Sequence, residues 1–354
     1  MARLLLVYQT KPDIVYGLGR CFKNHGDDVF YFLADQNHHW IDKYIFHVIN
    51  KWAHNLRFLK KSKFFFEGHK LNHWNYLNDK LVASYKKTKP DVVIFIHGIN
   101  YSDHTLTQIT CPKVGWLVDP VTNPERLSLF ASKLDWYYSY SYKAINTLKQ
   151  LGFIKTGYLS HAVDHQEFYP IPNHKKLIDI SFVGKHSDHR EKFILAALEV
   201  TKNVSVYGSR WITRAFFHPS LFFAIKGSRC YGNRLNTLYN SSRIVLSIIA
   251  KPHSTDGIES GINMRPYEVL ASGALLFSDQ YEELHPELIN QDNLILFNSV
   301  EEFKGLLSTL LNNHPEIDRI AINGRRFIKN RFSYTAMVDA IFVQLEKFSL
   351  PKLQ

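Results

Sequence analysis

Asp256–Asp279 reads DGIESGINMRPYEVLASGALLFSD, and this stretch decides what kind of chain it belongs to. A small-residue loop (Ser260, Gly261, Ile262, Asn263) leads into a helix expected from about Arg265 to Ser272. Pro266 suits the first turn of that helix, where its missing N–H costs nothing, and Gly273 suits its stop. The apolar run Ala274–Ser278 then reads as a strand. Backbone N–H groups left open at such a helix start attract anions, and the positive end of the helix dipole strengthens the attraction. Arg265 adds a guanidinium fork that matches phosphate oxygens. Glu268, one turn on, can accept hydrogen bonds from a ribose diol, as an acidic residue does in dinucleotide folds. The plain alternative is an ordinary loop with a surface Arg–Glu pair.

Outward from this stretch the same rhythm repeats. Apolar runs alternate with helix-period segments, the pattern of a parallel sheet covered by helices. Strands are expected at Arg3–Gln9, Val29–Ala34, Asp91–His97, Lys113–Val118, Asp135–Tyr140 and Thr156–Ser160. DVVIFIH, apolar almost throughout, suits a strand buried on both faces. Helical spacing marks Tyr76–Lys87 and Tyr142–Leu151, the latter stopped by Gly152. A break follows at Phe168–His174 (FYPIPNH), where two prolines favour extended chain. The rhythm restarts with Asp179–Val183, Val204–Tyr207, Ile244–Ile249, Ala274–Ser278 and Asn293–Phe297, and ends in helices at Glu301–Leu311 and Tyr334–Phe348. The fold class is α/β: two doubly wound units, with ligands expected at the carboxyl ends of their strands and in the cleft between them.

Composition agrees. At 354 residues with 45% hydrophobic and 21% charged residues, the chain is an ordinary globular protein of two-domain size. The three cysteines, Cys21, Cys111 and Cys230, form no CxxC pair, which argues against a disulfide framework or cysteine zinc site and for a reducing cytoplasm. The apolar run at the N-terminus is too short for a secretory signal, and no stretch approaches a membrane span. The formal net charge of +11 points to anionic partners. It thickens over Lys51–Lys63, next to Phe64, Phe65 and Phe66, and over Arg210–Arg234, where arginine and lysine are mixed with aromatics. Both stretches read first as solvated helix faces, then as peripheral contacts with anionic lipid. No zinc-finger, RRM or KH signature accompanies the charge, so nucleic acid is not an expected partner.

NMRPYEVLASGALLFSD resembles the nucleotide-sugar half of group-1 glycosyltransferases with the GT-B fold, and more narrowly the CgeB-like, spore-maturation-type group. That family reads N-x-R-x-[FY]-E, then small residues and a glycine before the next strand; Asn263, Arg265, Tyr267, Glu268 and Gly273 fit. DISFVGKHSDHR (179–190), VSVYGSRW (204–211), ILFNSVEEFKGLLSTLL (295–311) and AINGRRFIKNRFSYTAMV (321–338) follow in the expected order. GWLVDP (115–120) and GYLSHAVDHQEFYP (157–170) are similar to segments before the interdomain link. The resemblance spans roughly residues 90–345. It implies an acceptor-side Rossmann-like domain over 1–168, a nucleotide-sugar domain over 169–333, and a C-terminal helix, 334–354, crossing back.

The resemblance also assigns roles. Glu268 would bind the ribose; Asn263, Arg265 and the Ser260–Ile262 amides, Gly261 among them, would hold the diphosphate. Arg190, with Lys185, would add cations, and Tyr207 and Gly208 would line the nucleobase pocket. Many group-1 enzymes carry a second acid eight positions before the ribose glutamate; here that position is Ser260. Departure of a sugar leaves negative charge on the diphosphate, which fixed cations such as Arg265 stabilise. No DxD motif or dense carboxylate cluster offers metal ligands, so neither metal nor cofactor is expected. His186, His189, His38 and His39 lack a third ligand at convincing spacing. A base for the acceptor hydroxyl would come from Asp119, His97 or His161, all at expected strand ends. The expected protein is a cytoplasmic glycosyltransferase, retaining and metal-independent, with a UDP-sugar favoured. Its acceptor would be a cell-envelope glycan or lipid-linked saccharide. A nucleotide-sugar-binding protein without turnover, and a nucleotide-sugar epimerase or hydrolase, are the rival readings.

Overall fold

Runs such as Leu4–Val7 and Val92–Ile96, apolar at every position, have no polar side to show to water, and both are interior strands with near-zero exposure. The computed structural model describes residues 1–8, 12–60, 63–97, 101–116, 118, 124–249, 262–279, 283–285, 287–329 and 331–347. They form two compact units, Met1–Leu159 with Val338–Gln354, and Ser160–Met337.

The first unit holds a six-stranded sheet of β1 (Arg3–Tyr8), β2 (Asp28–Leu33), β3 (Val92–Ile96), β4 (Lys113–Trp116), β5 (Trp136–Ser139) and β6 (Thr156–Tyr158). The spatial order is β2-β1-β3-β4-β5-β6, and every pairing is parallel. Leu5 sits between Phe30 and Val93 in register. The order reverses at β1/β3, so the carboxyl ends Tyr8 and Ile96 mark this unit's switch point, where open α/β sheets take ligands. The helix Tyr142–Gln150 is capped by Ser141 and stops at Gly152, whose φ of +86° is costly for any residue with a Cβ. The end of the helix Tyr334–Glu346 belongs to this unit as well. Tyr138 Oη donates to the Ala340 carbonyl at 3.2 Å, and Phe22 meets Phe342 edge to face.

The second unit repeats the plan with β7 (Ile178–Val183), β8 (Val204–Tyr207), β9 (Ile225–Gly227), β10 (Ser242–Ser247), β11 (Leu275–Asp279) and β12 (Ile295–Phe297), ordered β12-β11-β10-β7-β8-β9 and parallel throughout. Alternation along the strands makes two cores. Ile244, Leu246, Leu275 and Phe277 face the helices Asp188–Val200 and Val300–Leu311, while Val245 and Leu276 face Gly232–Ser241 and Met264–Ala271. The switch point lies between β7 and β10.

The link after β6 is held by side chains of the second unit. Asn236 Oδ1 accepts from the Tyr169 N–H, and Asn240 bonds both the Tyr169 carbonyl and the Ile171 N–H. The strand expectations differ from the observed strands by a residue or two at their ends. The exception is β9, a three-residue edge strand that the sequence reading lacks. The helix His73–Thr88 starts three residues before its apolar period does, because Asn72 caps it.

Candidate functional site

Gly184, at the end of β7, and the Ser247–Ile248 end of β10 flank the switch point of the second unit, and Arg190 spans it. Arg190 sits in the first turn of the helix Asp188–Val200, which Ser187 caps. Its Nε donates to the Ile248 carbonyl at 2.8 Å and its Nη1 to the Lys185 carbonyl at 2.9 Å. The guanidinium stands 5.5 Å from the centroid of the Phe182 ring, and that of Arg265 stands 6.0 Å from the same ring. Burial, then the neighbouring Arg265 charge, pushes Arg190 down to about 10, with Asp279 pulling the other way. It stays charged at neutral pH, so two like charges face each other around one ring. Such a pair gains from an anion with several oxygens.

Arg265 is positioned by the helix it begins. Asn263 is the N-cap of Met264–Ala271, its side chain accepting from the Arg265 N–H at 3.1 Å. Tyr267, Val269 and Leu270 bury one face of that helix, and Tyr267 packs on Phe332. Glu268 lies three residues after Arg265, hence on the same side. Both charges act on the fully buried Tyr239 phenol. Burial first, then Glu268, drives that hydroxyl far up, so it remains a neutral donor; Arg265 opposes the shift. Gly273, at φ +75°, ends the helical turn.

Behind Arg190, Asp279 closes β11. Burial raises its carboxyl, while the Ile249 N–H, donating at 2.9 Å, and His189, at 3.4 Å, favour the charged form. At the neighbouring strand end, Gly208 approaches the β7 turn so closely that a Cβ would lie 1.8 Å from the Gly184 oxygen. Its φ of +152° is also one that side chains rarely adopt. Tyr207 is covered on one ring face by Arg234.

The structure thus brings Arg190, Arg265 and Glu268 together, with Asn263 as cap. Lys185 is exposed and contributes its carbonyl to Arg190. Ile262 is buried. Ser260 and Gly261 lie outside the described residues, as does Asp119. His97 directly follows β3 at the switch point of the first unit. Its φ is +70°, a strained value for histidine, and its N–H donates to the Trp116 carbonyl at 2.9 Å. His161 is 1% exposed and stands near the start of the second unit.

One network escaped the sequence reading. The buried Glu191 carboxylate pairs with Arg214, with His186 and, at 3.2 Å, with His218. Burial raises this carboxyl, but the Arg214 and His186 bonds outweigh it and hold it below the usual carboxylate value. Among the described residues, His186, Asp188 and Glu191 are the one set of three close enough to share a metal ion. A cation there would have to displace Arg214 from Glu191, so the cluster is better described as an ion-pair network. His186 and His189, weighed from spacing as a metal pair, take two different carboxylates, Glu191 and Asp279. Among the described residues no helix is long and apolar enough to cross a membrane.

Residues 190–342 match a family described as glycosyl transferase-like. No sequence among curated proteins matches the chain. Solved structures align over its whole length. Sucrose-phosphate synthase of Thermosynechococcus elongatus shares 10% identity at a TM-score of 0.69, over 99% of both chains. HepE of Anabaena in complex with UDP-glucose shares 13% at 0.65, over 98% of this chain and 100% of that one. A UDP-N-acetylglucosamine 2-epimerase shares 13% at 0.58, over 100% and 98%. At such identities the likeness fixes the fold, which is GT-B. A glycosyl transferase-like domain over residues 190–342 of that frame supports a glycosyltransferase enzyme.

Proposed function

We propose that the chain transfers a sugar from a nucleotide-sugar, favouring a UDP-sugar, to a hydroxyl of a cell-envelope glycan or lipid-linked saccharide. The observation that carries this reading is the pair of guanidiniums, Arg190 and Arg265, meeting at the switch point beside a capped helix start. A departing diphosphate gains negative charge as the glycosidic bond breaks, and cations already in place lower that barrier by several kcal/mol. The positive end of the dipole of the helix Met264–Ala271 adds to the same effect, and Glu268 takes the ribose hydroxyls. Tyr207 and Gly208 border the nucleobase. Charge neutralisation rests on arginines, so this reading makes transfer independent of metal; chelator should leave turnover unchanged. Transfer is proposed to retain configuration. Asp119, His97 and His161 stand as the candidate acceptor-side bases. Placement among CgeB-like proteins is part of the proposal and rests on Asn263, Arg265, Tyr267, Glu268 and Gly273.

The test is a thermal-shift titration with UDP, GDP, ADP, dTDP and their sugar conjugates on wild type and Glu268→Ala. A nucleotide at a hundred times its Kd adds about 2.7 kcal/mol of stability. One nucleotide should stabilise wild type, and Glu268→Ala should weaken its binding by about 1–3 kcal/mol through lost charged hydrogen bonds. No shift with any nucleotide overturns the donor site. Donor consumed without any acceptor would instead identify an epimerase or hydrolase.

A further inference from the structure

The helical turn Asp42–Phe46 runs directly into the helix His47–Asn55, and the chain continues to Glu67 along the first unit. Only a narrow face of this helix is buried, through Phe46, Asn50 and Ala53. The wider apolar face points to solvent. Tyr44, Ile45, Val48, Ile49, Trp52 and Leu56 recur at three- and four-residue steps, and each is between 40% and 64% exposed. Trp40, 61% exposed, precedes them, and Phe58, 78% exposed, follows. A contiguous apolar face of this extent on a water-soluble surface marks an interaction site.

Residues 63–66 beside it are tied to the helix. Asn50 donates to the Phe65 carbonyl at 3.2 Å and accepts from the Phe65 N–H at 2.6 Å. His54 bonds the Lys63 carbonyl at 2.8 Å, and Phe66 stacks on Phe46 at 4.2 Å. Exposed Phe64 and Phe65 are therefore presented in fixed positions next to the helix stripe. Around them residues 40–70 carry seven lysines and arginines against two acids, a net +5. Lys51, Lys60 and Lys63 are all exposed.

We infer that this face docks on the surface of an anionic bilayer. Tryptophan, tyrosine and phenylalanine on an apolar stripe settle at the level of lipid headgroups, and flanking lysines reach the phosphates while their stems lie along the apolar surface. Charge selects this occupant over a second copy of the chain. A two-fold contact would press +5 against +5, whereas anionic lipid neutralises the cations. The inference does not depend on the proposed transferase reaction, since none of these residues lies in the donor site.

The full chain would be sedimented with vesicles of phosphatidylcholine alone and with about 30% phosphatidylglycerol, at about 0.1 M salt. Wild type should pellet with the anionic vesicles only, and release as salt rises. Ile49→Ser with Trp52→Glu should lower the apparent affinity by about tenfold or more. Both side chains are exposed, so the melting temperature and the nucleotide-induced shift should stay at wild-type values. Lys51→Glu with Lys60→Glu, a second variant, should lose binding without touching the apolar stripe. Wild type remaining in the supernatant, or both variants pelleting like wild type, overturns the inference. A wild-type dimer that Ile49→Ser/Trp52→Glu dissolves, with no vesicle binding, assigns the face to a second copy instead.

Discussion

Arg190 spends two N–H groups on carbonyls from two strand ends, and the proposed diphosphate would take the rest of its fork. Lysine, a single ammonium on a flexible stem, cannot reproduce that geometry. Arg265 has a different part. Its N–H is capped by the Asn263 side chain, while its guanidinium acts on the Tyr239 hydroxyl and stands over the Phe182 ring. Arg265→Ala is expected to depress kcat by more than it weakens donor binding, because charge on the diphosphate peaks in the transition state. Steady-state kinetics beside calorimetric donor affinity checks this, and equal losses in both would remove Arg265 from the chemical step. The residues Arg265 and Glu268 were legible in sequence because helix start, spacing and stop all fall in one stretch. Glu191 was not, since its partners Arg214 and His218 lie more than twenty residues away and meet it only through packing.

At the scale of elements, the helix Gly232–Ser241 secures the second unit to its own entry segment. Asn240 satisfies the Tyr169 carbonyl and the Ile171 N–H, and Ser272 adds a bond to Asn236 from the helix that bears Arg265. Asn240→Ala leaves those groups unpaired in a partly buried place. It should cost about 1–3 kcal/mol in denaturant unfolding, with no change in the acceptor specificity of the folded enzyme. Lys176 offers a pH test. Burial brings its ammonium down to about 8, despite help from Asp318. The unfolded chain then holds this proton more tightly than the folded one, so stability should rise as pH climbs from about 8 toward the ordinary lysine range. Lys176→Met should flatten that rise in melting temperature measured against pH. A slope unchanged by the substitution would show that other groups cause it. Among the strands, the long apolar runs declared themselves because both faces are buried. The edge strand β9 did not: its three residues are half-covered or exposed, and they sit among aromatics that look like surface.

For the whole molecule, two compact units mean that donor binding need not be felt everywhere. Hydrogen exchange with a bound nucleotide should show added protection within residues 160–337, around Gly184–Arg190, Tyr207–Gly208 and Ile262–Ala271, with the strands β1 to β6 of the other unit unaffected. Protection concentrated in β1 to β6 would place the nucleotide in the wrong unit. The doubly wound plan could be read from the order of runs alone, but the identity of the acceptor could not, because Asp119, His97 and His161 share no local pattern. The crowding of Arg190 against Arg265 reaches beyond catalysis. The two charges repel, and a bound anion would offset that repulsion, so the occupied chain should open less often. Proteases act on opened chains. The lifetime of this protein in the cell should therefore lengthen when its donor is plentiful and shorten when it is scarce, matching the amount of enzyme to the supply it consumes.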